Sequence, residues 1–191
     1  MFYHCSPTGG LTVLEPRKPE HFEKPAQVYL TTSLPMALFY GIRHFEYTYG
    51  YTRNGQLYFE EYFPNALEEL YCGRAASLYL CQPQAVETTQ IPNEAVSAQP
   101  VPVLEERFIP DLMEALLEQE RSGALVIRRF EQLTQRELDW IRNAEAGEIL
   151  KRGLLRTDSP MARWMRSHYP ESWEMALQSP STWISSSQAK P

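Results

Sequence analysis

The stretch from Val28 to Gly41, V-Y-L-T-T-S-L-P-M-A-L-F-Y-G, constrains this chain more than any other. Its apolar, β-prone start, Val28-Tyr29-Leu30, predicts a strand. Thr31, Thr32 and Ser33 lead out of the strand into a short helix. Ser33 is placed as an N-cap, and Pro35 falls in the first turn, where a missing N–H costs nothing. Gly41 is placed to end the helix. Met36, Ala37 and Tyr40 share one helical face at i, i+1, i+4 spacing. One tyrosine therefore ends a strand, and a second, eleven residues on, looks back from a helix. The pair either packs into a core or flanks a flat ring, for which aromatic side chains offer broad rigid surfaces.

The rest of the first half reads as short strands joined by stiff corners, in keeping with 15 prolines. Phe2 to Cys5 predicts a strand, Ser6-Pro7-Thr8-Gly9-Gly10 a turn, and Leu11 to Leu14 a second short apolar piece. Glu15 to Pro25 is a charged, proline-rich loop with a solvated His21. From Phe45 to Phe63 the chain is dense in aromatics. Tyr47, Tyr49 and Tyr51 alternate with small residues at the period of a strand, and Asn54-Gly55 predicts the hairpin that returns Gln56 to Tyr62. Pro64 to Leu70 reads as a helix. Ala75 to Cys81 reads as a strand with Leu78 and Leu80 on one face and Ser77, Tyr79 and Cys81 on the other. Pro83 to Pro102 reads as a loop holding one short strand, Glu94 to Ala98, and Val101 to Phe108 as a further strand.

The character then changes. Asp111 starts a helix carrying Leu112, Met113, Leu116 and Leu117, with Gly123 at its end. Ala124 to Phe130 is strand-like, and Thr134-Gln-Arg-Glu137 is a capping box opening a helix through about Ala146. Ser159-Pro160 and Pro170 open two shorter helices. The expected organisation is α+β: a strand-rich region 1–109, a helical extension 110–178 packed on it, and a flexible tail 179–191.

A formal net charge of −6 argues against general binding of nucleic acid or anionic membranes. No apolar run approaches the roughly 18 residues that would span a bilayer. The N-terminus lacks a basic-then-apolar secretion pattern, so a cytoplasmic location is expected. Cys5, Cys72 and Cys81 show no C-x-x-C spacing, which suits reduced thiols and offers no zinc site. His4 and Cys5 are adjacent on a strand and point to opposite faces, which excludes a thiolate–imidazole pair. Arg121, Arg128 and Arg129 read either as a solvated charged face or as an anion site. Trp164, Trp173 and Trp183 read either as core or as a partner surface.

The N-terminal Y-H-C-S-P-T-G-G-L, followed by V-Y-L-T-T-S-x-x-x-A-x-x-Y, resembles the ADP-ribosyltransferase superfamily. The resemblance is to the branch marked by a His-Tyr-acid triad, which includes poly(ADP-ribose) polymerases and rifamycin-modifying ADP-ribosyltransferases. It covers about 40 residues well and about 100 loosely, and the whole chain also looks like bacterial proteins beginning Y-H-x-S-P. The resemblance implies a split antiparallel sheet and NAD as substrate. An enzyme of this kind grips the nicotinamide amide, sandwiches its ring and holds a carboxylate near the positive charge that develops on the ribose. By resemblance, His4 hydrogen-bonds the adenosine ribose, the backbone of Cys5 grips the carboxamide, and Ser6 supports one end of the site. Tyr29 and Tyr40 pack against the nicotinamide ring. Cys5 stands where the family has glycine. By resemblance Glu94 is the chosen catalytic acid: it opens the strand-like E-A-V-S after a proline-rich loop, where the family commonly places its acid; Glu87 is second, and Glu60 and Glu61 are third. The implied activity is transfer of ADP-ribose from NAD to an unknown protein or small-molecule acceptor, or hydrolysis of NAD. The alternative is a catalytically silent binding module in which the tyrosine tract and the tryptophans matter more than His4.

Overall fold

The computed structural model describes residues 1–18, 25–44 and 47–178. The expectations for His21, for the start of the aromatic tract at Phe45, and for the tail from Ser179 with Trp183 lie outside the described residues. In chain order the elements are β1 (Phe2–Ser6), β2 (Val13–Leu14), β3 (Val28–Thr31), α1 (Leu34–Phe39), β4 (Tyr49–Tyr51) and β5 (Leu57–Glu60). They continue as α2 (Ala66–Tyr71), β6 (Ala76–Cys81), β7 (Glu87–Thr88), β8 (Glu94–Ser97), β9 (Val101–Ile109) and α3 (Leu112–Arg121). β10 (Val126–Arg128), α4 (Gln135–Lys151), α5 (Pro160–His168) and α6 (Pro170–Gln178) complete the list, with single 3-10 turns at Phe130–Gln132 and Leu154–Arg156.

The fold is α+β with antiparallel sheets. It divides into two compact units: one takes Met1–Phe59 and Leu67–Ile127, the other Glu60–Ala66 and the chain from Arg128 onward. The division does not follow the change of composition near residue 109. α3 belongs to the first unit, and a short piece from inside the first half belongs to the second.

The first unit is built on a seven-stranded sheet in the order β2-β9-β6-β1-β3-β8-β7. β6 lies inside the sheet, between β9 and β1, and is buried on both faces, which explains its continuous run of apolar and small residues. One face carries Cys5, Leu78 and Leu80, covered by α1 (Met36, Ala37, Phe39) and α3 (Leu112, Leu116), with Leu125 and Ile127 closing the cluster. The other face carries Leu14, Val28, Leu30, Tyr79, Cys81 and Val101. Ser33 caps α1 by accepting from the Met36 N–H. Gly41 serves close packing as well as helix termination: a Cβ there would lie 2.8 Å from Leu112 Cδ1 and 3.0 Å from Cys5 Sγ. Asn54-Gly55 turns the β4–β5 hairpin, with Gly55 in the left-handed region at φ +82°. The segment read as a loop with one strand holds two, since β7 pairs with β8.

In the second unit Thr134 and Glu137 form the expected capping box. α4 runs past Ala146 to Lys151, and α4 and α5 both pack on α6. Arg128 pairs with Glu60 and with Glu137, so it belongs to an ion-pair network, not to a solvated face. Trp164 lies among Phe63, His168 and Tyr169, and Arg166 lies over Trp173 at 5.1 Å. No described helix is long and apolar enough to cross a membrane.

Candidate functional site

The site assembles at the end of β3 where the chain turns into α1. Tyr3 on β1 opposes Thr31 on β3, and Thr31 opposes Glu94 on β8. Residues opposed across strands share a face, so Tyr3, Thr31 and Glu94 form one row. The row lies on the α1 side, since the Thr31 hydroxyl donates to Met36 Sδ at 3.3 Å. Tyr29 has the same parity as Thr31 and sits on that side; its neighbours Val28 and Leu30 face the other core.

Tyr40 caps the C-terminus of α1. Its hydroxyl shares a 2.7 Å hydrogen bond with that of Tyr49, the ring meets Tyr49 edge-on, and Tyr47 packs on it at 4.9 Å between centroids. Burial raises the Tyr40 phenol far above its ordinary value, and the Tyr49 bond and the charge of Glu94 push the same way. Burial likewise raises the Tyr49 phenol; the Tyr40 bond offsets part of this, and the Glu94 charge adds to it. Both phenols therefore stay protonated at neutral pH.

The β7–β8 turn fixes the carboxylate. Thr89 Oγ1 donates to Glu94 Oε1 at 2.8 Å, and its backbone N–H donates to the Glu94 carbonyl. Asn93, just before Glu94, takes the left-handed conformation at φ +65°, which asparagine tolerates better than most residues. Its carbonyl accepts from the Thr32 N–H at 3.0 Å, and its Nδ2 donates to the Tyr51 hydroxyl at 3.4 Å. Tyr51 in turn donates to the Pro92 carbonyl at 2.6 Å. The acid-bearing turn is therefore clamped to the β3–α1 corner and to β4. Thr89, Asn93, Tyr49 and Tyr51 all belong to this constellation. The alternation of the tyrosine tract put Tyr49 and Tyr51 on one face, but nothing local in the sequence tied them to Tyr40 or Glu94.

The predicted residues do not all come together. His4 opposes Tyr79, whose ring lies 6.4 Å away on the second core face. Alternation along β1 sets the imidazole on the side away from Cys5, and so away from the α1 face. His4 is joined to the tyrosine strand by its Nδ1, 3.0 Å from the Tyr29 carbonyl. Burial lowers its pKa; the Tyr29 bond works against this and the charge of Arg17 reinforces it. The Cys5 thiol fills the space between β1 and Gly41, and burial pushes it up to about 12. Its side chain is thus spent on packing, and along the strand Cys5 pairs with Leu78 of β6. The Ser6 hydroxyl accepts from the Thr8 N–H at 3.1 Å and holds the turn after β1.

Among the other acids, Glu87 is exposed on β7, opposite Val96. Glu60 and Glu61 are buried in the second unit, where Glu60 pairs with Arg128 and Glu61 accepts from the Phe130 N–H at 3.0 Å. Of the four carboxylates considered, Glu94 is the one on a strand that pairs with β3. No protein-family model matches the chain, and no curated protein matches it.

Proposed function

We propose that the first unit is an ADP-ribosyltransferase-like domain that binds NAD at the Tyr29–Tyr40–Glu94 corner and either transfers ADP-ribose to an acceptor or hydrolyses NAD, in a cytoplasmic setting where its three thiols stay reduced. One observation carries this reading. Glu94 lies directly opposite Thr31 of the strand that bears Tyr29, on the face that α1 covers, and Thr89 holds its carboxylate. In the proposed chemistry the bond between the nicotinamide nitrogen and the ribose breaks, and the electron pair leaves with nicotinamide. Glu94 would stabilise the cationic ribose, then take the proton of the incoming hydroxyl or water as its oxygen bonds to the ribose carbon. Protonated Tyr40 and Tyr49 would present neutral aromatic surface and a hydroxyl to the leaving ring.

A second reading has its own support. Tyr40 is already packed by Tyr47 and Tyr49, and the His4 ring faces the other core. A domain with these features keeps the fold as a binding module without turning NAD over. Thermal shift and nicotinamide release separate the two. On the first reading NAD raises the melting temperature by mass action. Glu94→Gln, which keeps shape and removes charge, leaves that shift nearly intact and cuts release by about a hundredfold or more, the scale of losing one electrostatic stabiliser. No shift at millimolar NAD favours the binding module. A shift without any release means that a pocket persists without the chemistry.

A further inference from the structure

β9 is the longest strand of the sheet, and β2 covers only its start, where Val13 opposes Pro102, Leu14 opposes Val101, and the Val103 N–H donates to Thr12. Beyond Val103, β9 is paired on one side by β6, and among the described residues no strand lies along its other side. This open edge reads Leu104-Glu105-Glu106-Arg107-Phe108. Leu104 is 58% exposed and Phe108 69%, which is unusual for large apolar side chains on a bare edge.

We propose that this edge pairs with the same edge of a second copy of the chain, antiparallel about a two-fold axis through Glu106. The choice of occupant rests on the pattern of side chains. A two-fold normal to a sheet keeps each residue on its own face, so directly opposed residues must both be even-numbered or both odd, and the axis must pass through a residue. An axis at Glu105 sets Glu105 against itself and Leu104 against Glu106. An axis at Arg107 sets Arg107 against itself and Phe108 against Glu106. An axis at Glu106 sets Glu105 against Arg107 twice and brings Phe108 toward the exposed Leu104 at the end of the paired stretch. The register of β6 with β9 shifts between Leu80 and Cys81, which oppose Glu105 and Val103, so Leu104 is the extra residue of a bulge and regular alternation runs from Glu105 to Ile109. Opposite charges and apolar pairs facing across strands are the stabilising combinations, and opposed like charges are not.

The one like-charged pair in this arrangement is Glu106 with its copy. That carboxylate is turned onto its own chain, accepting from the Gly10 N–H at 3.0 Å and from the Tyr79 hydroxyl at 3.4 Å. Arg107 and Glu105 already pair within the strand, Nε to Oε1 at 2.6 Å, which presents both charges at the edge as a preformed set. Charges on an edge strand ordinarily guard it against pairing. Here their order is one that a second copy neutralises. Main-chain hydrogen bonds supply the affinity and the side chains the register, as in other strand-addition interfaces.

Charge reversal tests this on the full chain by analytical ultracentrifugation. Wild-type protein is expected to show a dimer whose population rises across the micromolar range. Glu105→Arg opposes two arginines in each pair, and Arg107→Glu opposes two glutamates, so each single variant is expected to weaken dimerisation by about tenfold or more. The double variant Glu105→Arg/Arg107→Glu restores opposite charges and is expected to dimerise again. Mixing the two single variants sets basic side chains at positions 105 and 107 of one edge against acidic ones at the same positions of the other and is expected to give a heterodimer. Circular dichroism melting checks that these exposed substitutions leave the fold intact. A wild-type protein that stays monomeric, single variants that dimerise like wild type, or a double variant that stays monomeric would each overturn the proposal.

Discussion

His4 shows how a sequence-level alternative turns into a measurable property. A strand histidine next to a turn is either a ligand for a bound nucleotide or a buried group held by a carbonyl. Here its Nδ1 lies 3.0 Å from the Tyr29 carbonyl, and burial lowers its pKa. The folded state thus binds a proton less readily than the unfolded chain, in which histidine titrates near 6.5. The linkage follows from that sign. At pH above about 6.5 both states hold the ring neutral, and the full stability is present. As the pH falls below 6.5 toward the lowered folded value, the unfolded chain takes up the proton first and stability is lost. Urea midpoints measured from pH 7.5 to 5.5 should fall on acidification, and His4→Gln should flatten the slope over that window. A wild-type slope that His4→Gln leaves unchanged would assign the acid sensitivity to another group.

At the scale of elements, the capping box of α4 gives a second test. Thr134 Oγ1 accepts from the Glu137 N–H, and the Glu137 carboxylate returns to the Thr134 N–H at 2.8 Å and pairs with Arg128. Those bonds, led by the one from the Thr134 backbone, hold the Glu137 carboxyl down to about 2. Thr134→Ala should cost about 1 kcal/mol in chemical denaturation at pH 7, the usual value of an N-cap side chain. Glu137→Gln should also destabilise at pH 7. Its deficit should shrink as the pH falls from about 4.3, where an unfolded glutamate protonates, toward 2, because the wild-type advantage disappears over that window. Features of this local kind were legible in the sequence. The Ser33 cap, the Asn54-Gly55 turn, the helix start at Asp111, the Thr134 cap and the two faces of β6 each depend on residues within a few positions of one another. What was not legible depends on pairing at a distance. β7 is two residues long and gains its status from β8. Glu94 was placed on a strand, but its position opposite Thr31 depends on the β1-β3-β8 order and on Asn93 bridging to Thr32 and Tyr51. The face on which His4 lies was set by its register with Tyr79, seventy-five residues away.

For the whole molecule, the composition change near residue 109 and the physical division of the chain disagree, and truncation distinguishes them. If the strand-rich region were self-sufficient, residues 1–109 would fold alone. Yet the core between the sheet and α1 is completed by Leu112 and Leu116 of α3 and by Leu125 and Ile127, all four of them buried. At about 1.5–3 kcal/mol for each fully buried aliphatic side chain, their loss removes about 6–12 kcal/mol, comparable with the total stability of about 5–15 kcal/mol that a domain possesses. Removing α3 would also leave Leu78, Leu80 and Phe39 facing water. Residues 1–109 are therefore expected to melt without a cooperative transition and to bind a hydrophobic dye, whereas residues 1–127, which keep the entire first unit, should retain a sigmoidal melt. The reciprocal fragment makes the same point about the second unit. Residues 128–178 lack Glu60, Tyr62 and Phe63, and with them the acid that pairs with Arg128 and the rings that meet Trp140 and Trp164. That fragment should be less helical by circular dichroism than α4, α5 and α6 require, and adding a peptide of residues 58–67 in trans should raise its helicity. Cooperative melting of residues 1–109 would show that the boundary read from composition is the energetic one, and that α3 is an accessory to the sheet.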